Sequence, residues 1–206
     1  MLHIIHKKSN ALSREQWQTI RNLNRKIIPK SLYDQNLFTG GCLESTCESA
    51  IQKAIEMGTA EILFGFKDHQ LISYMIFYCT GNPPTLEGRL QAYYHLGRVG
   101  YSDMLVVDPE FQKRGYAKEM RKHMKQIARK SGIDVFMTFV RAIPIPNLPS
   151  LMSLHGAGAV FSNNQLVLQR QLPGMEQALT DICYELIYPT DDRYLTTDKT
   201  GKIIWE

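Results

Sequence analysis

The clearest hydrophobic pattern lies between Tyr101 and Gly132. Met104-Leu105-Val106-Val107 is a continuous apolar run, as for a strand covered on both faces. Asp108-Pro109 ends it, because proline removes an amide donor and restrains the residue before it. Past the turn, Ala117, Met120, Met124, Ile127 and Ala128 recur at helical spacing and define one apolar face. The other faces carry Lys113, Arg114, Lys118, Arg121, Lys122, Lys125, Arg129 and Lys130 against Glu119 alone. A strand, a turn and a basic helix are therefore predicted in that order.

The same reading extends along the chain. Leu2–Lys7 forms a short first strand, and Ser13-Arg14-Glu15-Gln16 has the form of a capping box before a helix with Trp17, Ile20, Leu23 and Ile27 on one stripe. A second box, Ser45-Thr46-Cys47-Glu48, opens a helix through Ile51, Ala54 and Ile55 that Gly58 stops. Thr59–Phe66 and Leu71–Cys79 pair as a hairpin across Lys67-Asp68-His69-Gln70. A long connection from Thr80 to Arg98 follows, then the strand and basic helix above, a fifth strand over Ile133–Val140, a short helix around Ser150–His155 and a final strand over Gln165–Leu172. From Pro173 onward the chain reads as an extension, with a helix over Met175–Ile187 and a small hairpin around Asp198-Lys199-Thr200-Gly201. The order is mixed α/β around a central mixed, mainly antiparallel sheet flanked by helices. It does not alternate strand and helix as a dinucleotide-binding fold does.

Composition narrows the function classes. With 206 residues, 44% hydrophobic and 21% charged, the chain suits one globular domain, 1–172, with an extension over 173–206. Its net charge of +4 comes mostly from the single basic helix, so a local phosphate site explains it better than a nucleic-acid surface. Cys42, Cys47, Cys79 and Cys183 form no C-x-x-C pair, and the six histidines make no close metal-binding pattern. The amino terminus MLHIIHKKSN has charge too early for a secretory signal, and no stretch approaches a membrane span; a cytoplasmic protein is expected.

Candidate chemistry begins at Gln112-Lys113-Arg114-Gly115-Tyr116-Ala117. A glycine turn opening a basic helix offers free amides and a partial positive charge to a phosphate. Preceded by LVVDPEFQ, the pattern Gln112-x-x-Gly115-x-Ala117 resembles the acetyl-coenzyme A signature of the GCN5-related N-acetyltransferases, a likeness that covers roughly Leu2 to Leu172. The resemblance implies that Leu105, Val106 and Val107 hold the pantetheine arm of acetyl-coenzyme A. The turn from Gln112 to Ala117 and Lys118 would take its pyrophosphate, with Asn147 contributing from across the opening. The resemblance also implies direct transfer of an acetyl group to an amine, with the Val106 amide as oxyanion donor and Asp103, facing the same side as Tyr101, as base or relay.

One departure stands out. Where the resembled family commonly places a tyrosine acid, this chain has Leu154, followed by His155. Either His155, Tyr101 or a loop tyrosine donates to the departing thiolate, or the thiolate leaves unassisted. Tyr33, Asp34 and Phe38 before the second helix, and Tyr93 and Tyr94 in the long connection, either line an acceptor pocket or anchor their loops. The acidic extension covers a face, forms a dimer contact or lines the acceptor site. The resulting expectation is an acetyl-coenzyme A-dependent N-acetyltransferase acting on an amine-bearing small molecule or peptide, without nucleic acid, membrane or metal. A coenzyme A-binding regulatory module is the alternative.

Overall fold

Strands β1 (His3–Lys8), β2 (Glu61–Lys67), β3 (Gln70–Tyr78), β4 (Val99–Val107), β5 (Val135–Ile143), β6 (Val160–Arg170) and β7 (Leu179–Pro189) form one sheet in the computed structural model. The structure describes residues 2–27, 44–143, 147–170 and 179–206. Among these residues the sheet order is β1-β2-β3-β4-β5-β7-β6, with β4 and β5 parallel and their neighbours antiparallel.

Helices cover both faces, which explains why the central strands read as continuous apolar runs. Helices α1 (Arg14–Ile27) and α2 (Glu44–Met57) lie on one face, where Trp17, Ile20, Ile51 and Ala54 pack with Tyr74, Ile76, Tyr78 and Tyr101. Helix α4 (Tyr116–Lys130) and helix α5 (Leu148–His155) cover the other, where Met120, Met124, Ala128 and Leu154 pack with Met75, Phe77, Phe136 and Tyr188. The short helix α3 (Glu87–Gln91) lies in the connection between β3 and β4. No helix among the described residues is long and apolar enough to cross a membrane.

The local signals behave as their chemistry requires. Gln16 donates its amide to Ser13 Oγ at 3.3 Å, while the Ser13 amide donates to Gln16 Oε1 at 3.1 Å, a reciprocal capping box. Helix α2 starts at Glu44, one residue ahead of Ser45, so the second box lies inside the helix instead of preceding it. Gly58, at φ +65°, ends that helix as expected.

The segment after residue 172 corrects the sequence reading. Residues 179–187 form a strand, not part of a helix, and β7 lies inside the sheet between β5 and β6. Asp181 and Glu185, four apart, suit one face of a helix, but they also share one face of a strand with Cys183 and Ile187. Ile182, Tyr184, Leu186 and Tyr188 take the opposite face, and β-branched and aromatic residues favour the pleated arrangement. Strand β6 is consequently the edge of the sheet, and the chain after it returns as β7 between β5 and β6. The expected carboxy-terminal hairpin is present as β8 (Leu195–Thr197) and β9 (Ile203–Trp205). Asp198 Oδ1 sets its turn, accepting from the amides of Thr200 at 2.8 Å and Lys202 at 3.0 Å. Trp205 Nε1 donates to the Leu96 carbonyl at 3.0 Å, which ties the hairpin to the long connection.

Gly100 permits close packing at the centre of the sheet. A Cβ there would sit 2.6 Å from Phe136 Cε1 and 2.8 Å from the Tyr78 carbonyl oxygen. The carbonyl belongs to the β3 backbone and cannot rotate away. Gly100→Ala should therefore destabilise the protein by about 1–3 kcal/mol through overpacking, read as a lower midpoint in chemical denaturation with an unchanged slope.

Candidate active site

Strands β4 and β5 pair only at Val99–Val135, Gly100–Phe136 and Tyr101–Met137. The Thr138 hydroxyl donates to the Ser102 carbonyl at 2.8 Å, and beyond that bond no β5 residue pairs with β4. On the other side of β4, the amide of Asp108 donates to the Ile72 carbonyl at 2.7 Å. In an antiparallel ladder that orientation repeats every second residue, so Val106 also turns its amide toward β3, opposite Tyr74. Leu105 and Val107 turn their backbone groups toward the opening. This corrects the expected place of Val106 as an oxyanion donor: ladder parity directs its amide away from the gap. The Val107 carbonyl accepts from Gln112 Nε2 at 3.2 Å, which draws the following turn against the strand end.

That turn presents donors. Lys113 and Gly115 take positive φ values of +60° and +83°, and Gly115 caps α4 in the left-handed region. The first helical bond runs from the Glu119 amide to the Gly115 carbonyl at 3.1 Å, leaving the amides of Tyr116, Ala117 and Lys118 without an acceptor among the described residues. A Cβ on Gly115 would meet nothing within 4 Å, so the space beside these amides is open. Lys113, Arg114 and Lys118 are exposed around it, with the Arg114 guanidinium 5.4 Å from the Phe111 ring centroid. Open backbone groups along β4, free amides at a helix start and a cationic rim fit an amide-containing arm that ends in a pyrophosphate. Asn147, at the far side, caps α5 through its Oδ1, which accepts from the Ser150 amide at 3.2 Å.

A polar group occupies the α1–α2 face beside the opening. The ladder between β3 and β4 shifts at Ile76/Phe77, leaving Asp103 without an opposite residue, a bulge that re-aims its side chain. Tyr101 donates its hydroxyl to Asp103 Oδ1 at 3.1 Å, and Lys53 Nζ lies 3.2 Å from Oδ2. Lys53 also sits 5.8 Å from the Tyr101 ring centroid. Burial first, and the Asp103 charge second, hold the phenols of Tyr101 and Tyr78 well above the usual tyrosine range. The two rings stack at 6.1 Å, and the Tyr78 hydroxyl is buried without a partner among the described residues. The sequence places Tyr101 and Asp103 together. It does not single out Lys53, an ordinary lysine on an amphipathic helix.

The remaining candidates separate. Tyr33, Asp34 and Phe38 lie outside the described residues. His155 is exposed at the end of α5 with no side-chain hydrogen bond among the described residues, whereas Leu154 is 1% exposed within the core. Tyr94 is exposed and donates to Glu87 Oε1 at 2.7 Å. Tyr93 is buried, and its hydroxyl donates to the carboxylate of Glu185 on β7. Burial, with that hydrogen bond second, pushes the Tyr93 phenol up to about 12. The Glu185 carboxylate also accepts from Ser162 Oγ at 2.9 Å and Asn164 Nδ2 at 3.1 Å, and lies 3.3 Å from Arg89 Nη1. This buried cluster anchors the long connection to β6 and β7.

Known proteins share this fold. The structure superposes on the ribosomal-protein-S18-alanine N-acetyltransferase from Escherichia coli with a TM-score of 0.54 at 10% identity, covering 96% of this chain and 98% of that one. An N-acetyltransferase from Staphylococcus aureus gives 0.53 at 10% identity over 92% and 99% of the two chains. A protein from Salmonella typhimurium solved with its cofactor acetyl-CoA gives 0.52 at 11% identity over 92% and 95%. These likenesses carry the fold. Among curated proteins, none matches this chain by sequence. Residues 39–150, more than half the chain and the whole of the β4–turn–α4 unit, match the acetyltransferase (GNAT) family, to which this chain belongs.

Proposed function

We propose that this protein is a cytoplasmic N-acetyltransferase that moves an acetyl group from acetyl-coenzyme A to a primary amine of a small molecule or peptide by direct attack. The observation that carries this reading is the parting of β4 and β5 between two chemically different ends. Unfilled amides at Tyr116, Ala117 and Lys118 stand at one end, and Asp103 with Tyr101 and Lys53 stands at the other. Acetyl-coenzyme A supplies an activated thioester carbonyl. Backbone groups of Leu105 and Val107 orient the arm, and the α4 start with Lys113, Arg114 and Lys118 draws in the phosphates.

Asp103 is the best-placed base. An ammonium has no free lone pair, so its proton must leave before the nitrogen attacks. A carboxylate has about four acceptor positions, and Tyr101 and Lys53 occupy two directions. Asp103 would take the proton directly or through one water.

A coenzyme A-binding module without efficient transfer is the second reading. It is favoured by Leu154, whose buried side chain offers no acid at the position the family commonly uses. Free thiol released from acetyl-coenzyme A across a broad amine panel separates the two. Tight binding with no release over a wide pH range would select the module.

Two substitutions test the placement. Gly115→Glu brings a carboxylate beside the proposed pyrophosphate and strains a residue at φ +83°, so coenzyme A affinity should fall at least about tenfold; unchanged affinity in a folded variant would sink the phosphate site. Asp103→Asn should lower kcat by about a hundredfold or more, with a much smaller change in coenzyme A affinity. An unchanged rate in a folded variant would remove Asp103 from the mechanism.

A further inference from the structure

Arg121 is the residue that its own helix pattern leaves unexplained. It lies on the strongly basic α4, yet only 7% of its surface is exposed. Its Nε donates to Ser153 Oγ on α5 at 3.1 Å, and its guanidinium carbon lies 5.9 Å from the ring centroid of Tyr188 on β7. No carboxylate pairs with it among the described residues; besides Ser153, the Tyr188 hydroxyl is the group that favours its charged form. A largely buried cation held by neutral hydroxyls is costly. An anion arriving beside it would repay that cost.

Its position says which anion. Tyr188 pairs with Phe136 on β5, and Phe136 pairs with Gly100 on β4, one rung before the last rung that β4 and β5 share. Arg121 reaches from α4, which packs across β3 and β4, over to α5 and the ring of β7. Its guanidinium therefore stands above the place where β4 and β5 part, on the face opposite Asp103. Leu154, next to its partner Ser153, brings no acid to this place.

We propose that Arg121, over the ring of Tyr188, stabilises the thiolate that coenzyme A becomes when the acetyl group departs; this rests on the reading of the opening as the acetyl-coenzyme A site. The amine nitrogen bonds to the carbonyl carbon, and the carbon–sulfur bond breaks with its electron pair left on sulfur. The amine proton goes to Asp103 or water. Arg121 gives up no proton. It contributes charge and hydrogen bonds to the sulfur, so the departing group needs no acid. Lys125, one turn further along α4 with its Nζ 3.1 Å from the Ala157 carbonyl, adds charge of the same sign. Burial draws both cations below their usual ranges, with Tyr188 opposing that pull on Arg121. An arginine remains charged through neutral pH all the same.

The test titrates the thiol of coenzyme A bound to the full chain by thiolate ultraviolet absorbance. Subtracting the complex with desulfo-coenzyme A cancels the cysteines and tyrosines of the protein, and calorimetry measures binding in parallel. The bound thiol should titrate about one to two pH units below the free thiol. Arg121→Met, which keeps most of the side-chain volume, should abolish the shift while changing desulfo-coenzyme A affinity only a few-fold, and Arg121→Lys should keep part of it. A bound thiol that titrates at or above its free value overturns the proposal, as does a shift that survives in Arg121→Met. If Arg121→Met does not fold, the unmodified chain and Arg121→Lys still decide. Binding without a shift overturns this proposal alone, whereas absence of binding overturns it together with the functional reading.

Discussion

Everything specific about the site depends on one broken ladder. Where β4 and β5 stop pairing after Tyr101 and Met137, the β4 edge toward β5 is left without its backbone partners. Buried backbone groups require partners, and a sheet interior offers few substitutes. Thr138 satisfies the Ser102 carbonyl and Gln112 the Val107 carbonyl, both through side chains. These bonds hold the separation open at its two ends. On the proposed reading, a ligand with amides along its length would complete the ladder, a chemical preference set before any charged group is considered.

The strand, turn and helix of the proposed cofactor side are legible in the sequence because each of their signals is local. A continuous apolar run, a proline stop, a glycine at positive φ and a helical stripe lie within about thirty residues, and each acts on its neighbours. The polar groups on the α1–α2 face depend on contacts between distant segments. Lys53 meets Asp103 from fifty residues away, and Glu185 gathers Arg89, Tyr93, Ser162 and Asn164 from two further parts of the chain. No periodicity announces such meetings. The same limit explains β7. Its acids are spaced for either a helix or a strand, and burial between β5 and β6 decides for the strand. Tyr93 illustrates the cost of reading aromatics in a loop as ligand platforms, since its hydroxyl is committed to the core.

Leu154 shows how a missing residue should be weighed. Its side chain belongs to the core between α5 and the sheet, packed in the cluster that contains Tyr188, Phe136 and Met124. A hydrocarbon there adds to the apolar surroundings of the Tyr188 ring, over which Arg121 lies. Apolar surroundings strengthen an electrostatic contact, because the effective dielectric falls with solvent content. On the proposed reading, a guanidinium in such surroundings would stabilise the departing charge without transferring a proton.

The two faces of the sheet carry opposite charge where the strands part. Asp103, half-buried, and Glu185, buried, lie on the α1–α2 face, and buried Arg121 with half-buried Lys125 lies on the other, where α4 meets α5. Acetyl transfer to an amine separates charge in the same sense. A proton leaves the nitrogen while negative charge collects on sulfur, and the transferred carbon lies between them. On the proposed reading, a fixed field of this polarity would draw the proton toward the carboxylate face and the electron pair toward the cationic face. Because both charges are built into a packed sheet, little reorganisation is needed as the reaction proceeds, which is where preorganised electrostatics gains its advantage over water. The carboxylate and guanidinium can then cooperate without touching, each acting on its own end of the breaking and forming bonds.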